Sequence, residues 1–126
     1  MGQFASGARA EISLTVSEAD TAIAHRSGDV PALATPRVVA LVEQAAMLAV
    51  TPLLTEGQTT VGMRVQLDHL QPTPIGQMVL AEAVLEKAEG RRLSFHVTVT
   101  DPRGLVATGR IVRALVDREH FLGKFT

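Results

Sequence analysis

Residues 34–54 read ATPRVVALVEQAAMLAVTPLL. Thr35 followed by Pro36 predicts a helix start, with the threonine as N-cap and the proline, preset in φ, at the first helical position. Thr51-Pro52 predicts its end, because the residue before a proline avoids the helical region. The helix is expected over residues 36 to about 50. Between Val38 and Thr55 the only charged side chain is Glu43. A helix that is apolar nearly all round is a buried helix, and in a chain of 126 residues something must wrap it on most sides. The apolar run itself, residues 38–50, carries Glu43 and Gln44 and stops at Pro52, which makes it too short to cross a bilayer.

The flanking sequence supplies the wrapping. Residues 11–16 alternate, with Ile12, Leu14 and Val16 on one side, which predicts a strand. Residues 17–30 are polar, with Ser27-Gly28-Asp29 as turn chemistry, and are expected as loop with one helical turn at most. After the helix, Val61, Met63, Val65 and Leu67 alternate with Gly62, Arg64, Gln66 and Asp68. Gln71-Pro72-Thr73-Pro74-Ile75-Gly76 makes a rigid loop. An apolar run over 78–85 ends in Glu86-Lys87-Ala88-Glu89-Gly90. Leu93, Phe95, Val97 and Val99 alternate with Ser94, His96, Thr98 and Thr100. Asp101-Pro102-Arg103-Gly104 is a turn, and residues 105–116 form a last strand. Hairpins are expected at Glu89-Gly90 and Arg103-Gly104. The order β-α-β-β-β-β, with consecutive strands on short turns, predicts an α+β fold in which an antiparallel sheet wraps one central helix. One domain is expected over residues 1–126.

Composition narrows the function. Twelve basic and 13 acidic side chains give a net charge of −1, without the basic surface a nucleic-acid binder needs. Aromatics are 3%, too few for a base-stacking platform. The absence of cysteine excludes a disulfide scaffold, a zinc-thiolate site and a thiol nucleophile together. The opening residues carry no apolar stretch of the secretory kind, so a cytoplasmic location is expected. No metal-ligand spacing, phosphate loop or nucleophile elbow is present, and neither a metal nor a cofactor is expected.

Glu43 stands out as a lone carboxylate among Val39, Ala40, Ala46 and Met47, its neighbours one turn away on the helix. Burial would raise its pKa and suit it to general-base work; exposure on a helix strip would make it ordinary. Among the histidines, His96 shares parity with Ser94 and Thr98 and is expected to face water, while His25 and His120 lie in polar surroundings. His69 shares the parity of Val61, Met63, Val65 and Leu67, and is expected to point inward, as a core residue or part of a site. Arg91 and Arg92 sit at a hairpin, as turn charge or as a phosphate clamp.

Taken together, ATP before a buried helix, GMRVQLDHLQPTPIGQMV over 62–79 and EGRRLSFHVTV over 89–99 resemble the hotdog-fold thioesterases, in the branch that includes the fluoroacetyl-CoA thioesterases. The resemblance extends over residues 11–121. Its most specific part is a spacing: a threonine at the helix start, a glutamate eight residues on, then a histidine before a PTP loop with a glycine seven residues earlier. Here these are Thr35, Glu43, His69 and Gly62.

The resemblance implies a hotdog fold, a homodimer that could pair further into a tetramer, and acyl-CoA sites at the subunit boundary. It implies hydrolysis of a short or small acyl-CoA to a carboxylate and CoA, with CoA entering only as part of the substrate. Glu43 would be base or nucleophile. His69 would share the proton work, and Thr35 would position Glu43 or water, or itself attack. Gly62 N–H would be the oxyanion donor, and Arg91 and Arg92 would grip CoA. Fluoroacetyl-specific members carry aromatic residues before the threonine. Here residues 5–94 contain none, which implies an aliphatic acyl pocket with Met47 and Met63 as lining. A hydratase or dehydratase acting on acyl thioesters, and a non-catalytic acyl-CoA or small-ligand binder, are the alternatives, since fold alone does not separate them.

Overall fold

The structure, a computed structural model, describes residues 2–126. In chain order it has β1 (Arg9–Thr15), a 3-10 turn (Glu18–Asp20), α1 (Thr35–Val50), a second 3-10 turn (Thr51–Leu53), β2 (Gln58–His69), β3 (Met78–Glu89), β4 (Arg92–Asp101), β5 (Gly104–Asp117) and α2 (Arg118–Gly123). The strands form one antiparallel sheet in the order β1-β3-β4-β5-β2. This is the expected α+β arrangement with one addition, the short α2, whose first turn is capped by the Asp117 carboxylate accepting the His120 N–H at 2.9 Å.

The inner face of the sheet is set by alternation. Val79, Ala81, Ala83 and Leu85 of β3, Leu93, Phe95, Val97 and Val99 of β4, and Ile111 of β5 are all buried under α1. From α1 the side chains of Val38, Leu41, Val42, Ala45, Ala46, Ala49 and Val50 complete this core. The helix is nevertheless not wrapped on most sides. One sheet covers one flank, and Met47 and Leu48 are left 40% and 37% exposed. With the 3-10 turn that follows, the apolar segment runs over Thr35–Leu53, 19 residues, so length alone would let it cross a membrane. Its packing on the sheet makes it a core helix instead.

The strands keep the expected hairpins but not a simple alternation. In β2 the register to β5 shifts between Gly62 and Arg64, so Met63 is an extra, bulged residue. A one-residue bulge exchanges the faces of everything beyond it. Val65, Leu67 and His69 lie opposite Ile111, Gly109 and Ala107 on the inner side, as expected. On the other side of the bulge the inner residues are Thr60 and Gly62, not Val61 and Met63. Met63 instead lies on the outer face beside Arg64, Arg92 and Val112, so it cannot line an inner pocket with Met47. β3 likewise does not end at Leu85; it continues to Glu89 through a second register shift between Leu85 and Lys87.

Gly109 of β5 lies opposite Leu67, where a Cβ would overlap the Gln66 carbonyl oxygen and crowd the Leu67 Cα. Backbone cannot yield as a side-chain tip can. Gly109→Ala is therefore expected to cost about 1–3 kcal/mol, the range for overpacking, read as a lowered denaturation midpoint in urea. An unchanged midpoint would contradict the close β2–β5 approach.

Candidate active site

The first turn of α1 is built differently from the expected cap. The helix begins at Thr35 itself, with Ala34 as N-cap in an extended conformation and no side-chain capping bond. The Thr35 hydroxyl, not engaged as a cap, bonds His69 Nδ1 at 2.8 Å. His69 is the last residue of β2, on the inner face, so the helix start and the strand end meet through these two side chains. The other ring nitrogen, His69 Nε2, is buried and has no hydrogen-bond partner among the described residues. Burial pulls the His69 imidazole below its ordinary pKa of 6.5, against a smaller opposing pull from the Gln71 backbone.

The pair opens into a hollow of about 380 Å³. Its walls come from the loop before α1, including Ala22, Val30 and Leu33, and from Leu70 and Pro72 after β2. The loop is held to the helix by Asp20. The Asp20 carboxylate accepts from Arg37 Nε at 2.9 Å and from the Ser17 N–H and hydroxyl at 2.8 Å each. Its carbonyl accepts the Ala34 N–H at 2.9 Å. Burial alone would raise the Asp20 pKa; the Ser17 hydrogen bonds and the Arg37 charge outweigh it and hold the carboxyl below its ordinary 3.8.

Glu43 lies elsewhere on α1, two turns from Thr35 and about 12 Å along the axis. It is neither a lone buried carboxylate nor a plain surface one: its side chain is 35% exposed and faces Arg113, Nη1 to Oε2 at 3.5 Å. Arg113 is 7% exposed. It is fixed by two donations to Thr60, Nε to Oγ1 at 2.9 Å and Nη2 to the carbonyl at 3.0 Å. Burial lowers its pKa and the Glu43 charge opposes this. Gly62 completes the cluster. A Cβ there would meet Glu43 Oε2 at 2.5 Å, so the absent side chain makes room for the Glu43 carboxylate.

Within one chain the predicted residues thus form two groups, Thr35 with His69 and Glu43 with Gly62. Arg113 was missed. Its signal was present, since it shares the parity of the buried Ile111 in an apolar strand. Arg91 and Arg92 are exposed at the β3–β4 hairpin and border different hollows, Arg91 with Glu56 and Gln58, Arg92 with Arg64 and Arg110. Neither borders the Thr35–His69 hollow. His25, His96 and His120 are exposed, as expected for residues outside the site.

A histidine whose folded pKa lies below its unfolded value takes up its proton more readily once unfolded. Folded-state stability should therefore fall as the pH drops below 6.5 and level off below the folded pKa. His69→Asn should abolish that component, so the variant gains on the parent between pH 7 and pH 5 (a window of about two units around the ordinary histidine value) in paired urea titrations. Parallel stability curves would refute the buried, unpartnered imidazole.

Residues 16–119 match the family described as fluoroacetyl-CoA-specific thioesterase. Over 91 residues the chain is 35% identical to the fluoroacetyl-CoA thioesterase of Streptantibioticus cattleyicolor, a match covering 72% of this chain and 66% of that protein. An alanine variant of the fluoroacetyl-CoA-specific thioesterase, solved with fluoroacetate and CoA, superposes with a TM-score of 0.86 at 29% identity, over 94% of this chain and 99% of that one. A hot-dog-like protein from Thermanaerovibrio acidaminovorans superposes at 0.90 with 27% identity, over 98% and 91%. This chain has the hotdog fold and belongs to the fluoroacetyl-CoA-specific thioesterase family.

Proposed function

We propose that this chain is an acyl-CoA thioesterase that hydrolyses a small acyl-CoA at a site shared by two subunits. The observation that carries this reading is His69 Nε2, buried without a partner on a residue that borders the hollow, while Nδ1 is engaged by Thr35. When the Thr35 hydroxyl donates to Nδ1, the ring proton resides on Nε2, where the described residues offer it no acceptor (a tautomer assigned from the hydrogen bond). A neutral imidazole near pH 7, favoured by burial, suits donation from Nε2–H.

The chemistry follows from the two groups. Glu43 takes a proton from water as the oxygen attacks the thioester carbon. The tetrahedral oxyanion is met by the Gly62 N–H. The C–S bond then breaks as the proton taken up by Glu43 passes to the CoA thiolate, and His69, oriented by Thr35, donates a hydrogen bond from Nε2–H to the departing sulfur while keeping its own proton. Thr35 is a positioning residue in this scheme. Arg91 and Arg92 supply positive charge for the CoA phosphates. No resident metal or cofactor is required by these steps.

Separation of the groups along α1 supports a homodimer. β2 is an edge strand of 12 residues. Two apolar side chains on it and just after it are open: Met63 and Leu70 are 53% and 55% exposed. Pairing two β2 edges antiparallel about a central two-fold sets the His69 end of one strand beside the Gly62 end of the other. Thr35 and His69 of one protomer would then face Glu43, Gly62 and Arg113 of its partner. A cytoplasmic location is proposed with this reading, because packing on the sheet occupies the apolar helix.

Glu43→Gln should lower kcat by about 10² or more while leaving the fold intact, because the amide oxygen still accepts from Arg113. His69→Ala should cost a similar factor, and the double variant less than the product, since the groups act as a unit. Thiol release from saturated acyl-CoA esters measures this directly. Near-full activity of Glu43→Gln would make the carboxylate structural, and activity only on enoyl-CoA would favour a hydratase.

Val65→Glu should break the β2 pairing. Sedimentation should show a monomer that stays folded and has lost thiol release. A variant that is monomeric and fully active would refute the shared site.

A further inference from the structure

The outer face of the sheet, opposite α1, carries a hollow of about 510 Å³, of whose lining the hydrolytic scheme uses Arg92 alone. Its floor is Ser94 of β4 and Val112 of β5, which lie directly opposite each other. One cross-strand row runs through it: Lys87, Ser94, Val112, Arg64. Both ends of this row are made by bulges. Arg64 follows the register shift in β2, and Lys87 follows the one in β3. Without them, Arg64 would share the face of Gly62 and Lys87 that of buried Leu85. Each irregularity therefore turns a cation out of the core and onto the same row.

Arg92, two residues along β4 from Ser94, and Arg110, two along β5 from Val112, share this face. The lining then has four cations against two carboxylates, Glu86 and Glu89. Glu86 faces Arg110 at 3.8 Å and Glu89 faces Lys87 at 3.3 Å. Arg64 and Arg92 have no ion-pair partner among the described residues. They stand on strands separated by β5, about 10 Å apart across the sheet, within reach of one extended anion by two flexible side chains.

We infer that this hollow binds a diphosphate-bearing anion, held by the guanidinium groups of Arg64 and Arg92. Arginine forks match phosphate oxygens in pairs, and two facing forks suit two linked phosphates better than one carboxylate. The same chemistry is carried by the nucleotide end of CoA and by free polyphosphates. The CoA source rests on the thioesterase reading; the site itself does not.

Calorimetric titration with inorganic pyrophosphate and with CoA, on the parent chain and on Arg64→Ala/Arg92→Ala, tests the inference. Both side chains are exposed, so the double variant should keep its melting temperature. Pyrophosphate affinity should fall at least about tenfold in that variant, should stay unchanged in Arg118→Ala, and should be partly restored in the double lysine variant. If CoA is the source, KM for an acyl-CoA should rise about fivefold or more while KM for the matching acyl-pantetheine thioester stays constant. If free polyphosphate is the source, Arg64→Ala alone should weaken pyrophosphate binding while its KM for the acyl-CoA stays unchanged. Absence of saturable pyrophosphate binding, or equal affinity in parent and double variant, would overturn the inference whatever the hydrolytic activity.

Discussion

The Glu43 carboxylate rests against the Cα of Gly62, in space that any side chain at that position would enter at 2.5 Å. Much of the molecule is arranged around this contact. It requires α1 to lie close over the start of β2, which the apolar face of the helix achieves by burial. It requires a counter-charge, and Arg113, opposite Gly62 in the sheet, supplies one while Thr60 holds the guanidinium in place. Arg113 alone under the helix would be a costly buried charge, so the three residues stand or fall together. The bulge that follows at Met63 then returns β2 to the phase in which Val65, Leu67 and His69 face the core.

Much of this was legible in the sequence. An apolar helix bracketed by Pro36 and Pro52, followed by four alternating runs on glycine turns, left few packings other than a sheet laid on that helix. The inward His69 followed from parity and held, because Val65, Leu67 and His69 all lie beyond the bulge. The same parity failed at Val61 and Met63, since an inserted residue leaves no mark on a run of alternating side chains. Thr35-Pro36 predicts a threonine cap, yet Ala34 takes the N-cap position and the threonine hydroxyl turns to His69 instead. Glu43 is anomalous in the sequence, but nothing near it in the sequence points to its partner. Arg113 lies 70 residues away in sequence, and only the fold brings such a pair together.

Two half-sites emerge along α1. At its first turn Thr35 and His69 offer an oriented imidazole at the edge of a hollow. Two turns on, Glu43, Gly62 and Arg113 offer a carboxylate, a close backbone approach and a positive charge. Thioester hydrolysis by this scheme needs a base, a stabilised oxyanion and a hydrogen bond to the leaving sulfur, and neither half supplies all three. The edge position of β2 and the exposed Met63 and Leu70 are the physical ground of the proposed dimer, in which the halves would complete each other. In the proposed dimer, the shared site would follow from where the helix places its few polar residues.

Mixed dimers test this most directly. When Glu43→Gln and His69→Ala chains are unfolded together and refolded, half of the dimers formed at random are hybrids. In a shared site, each hybrid has one wild-type constellation and one doubly impaired one. The account predicts that thiol release recovers to about a quarter of the wild-type value, from parents that are each nearly inactive. Activity no greater than the mean of the two parents would place Glu43 and His69 in the same subunit's site and contradict it.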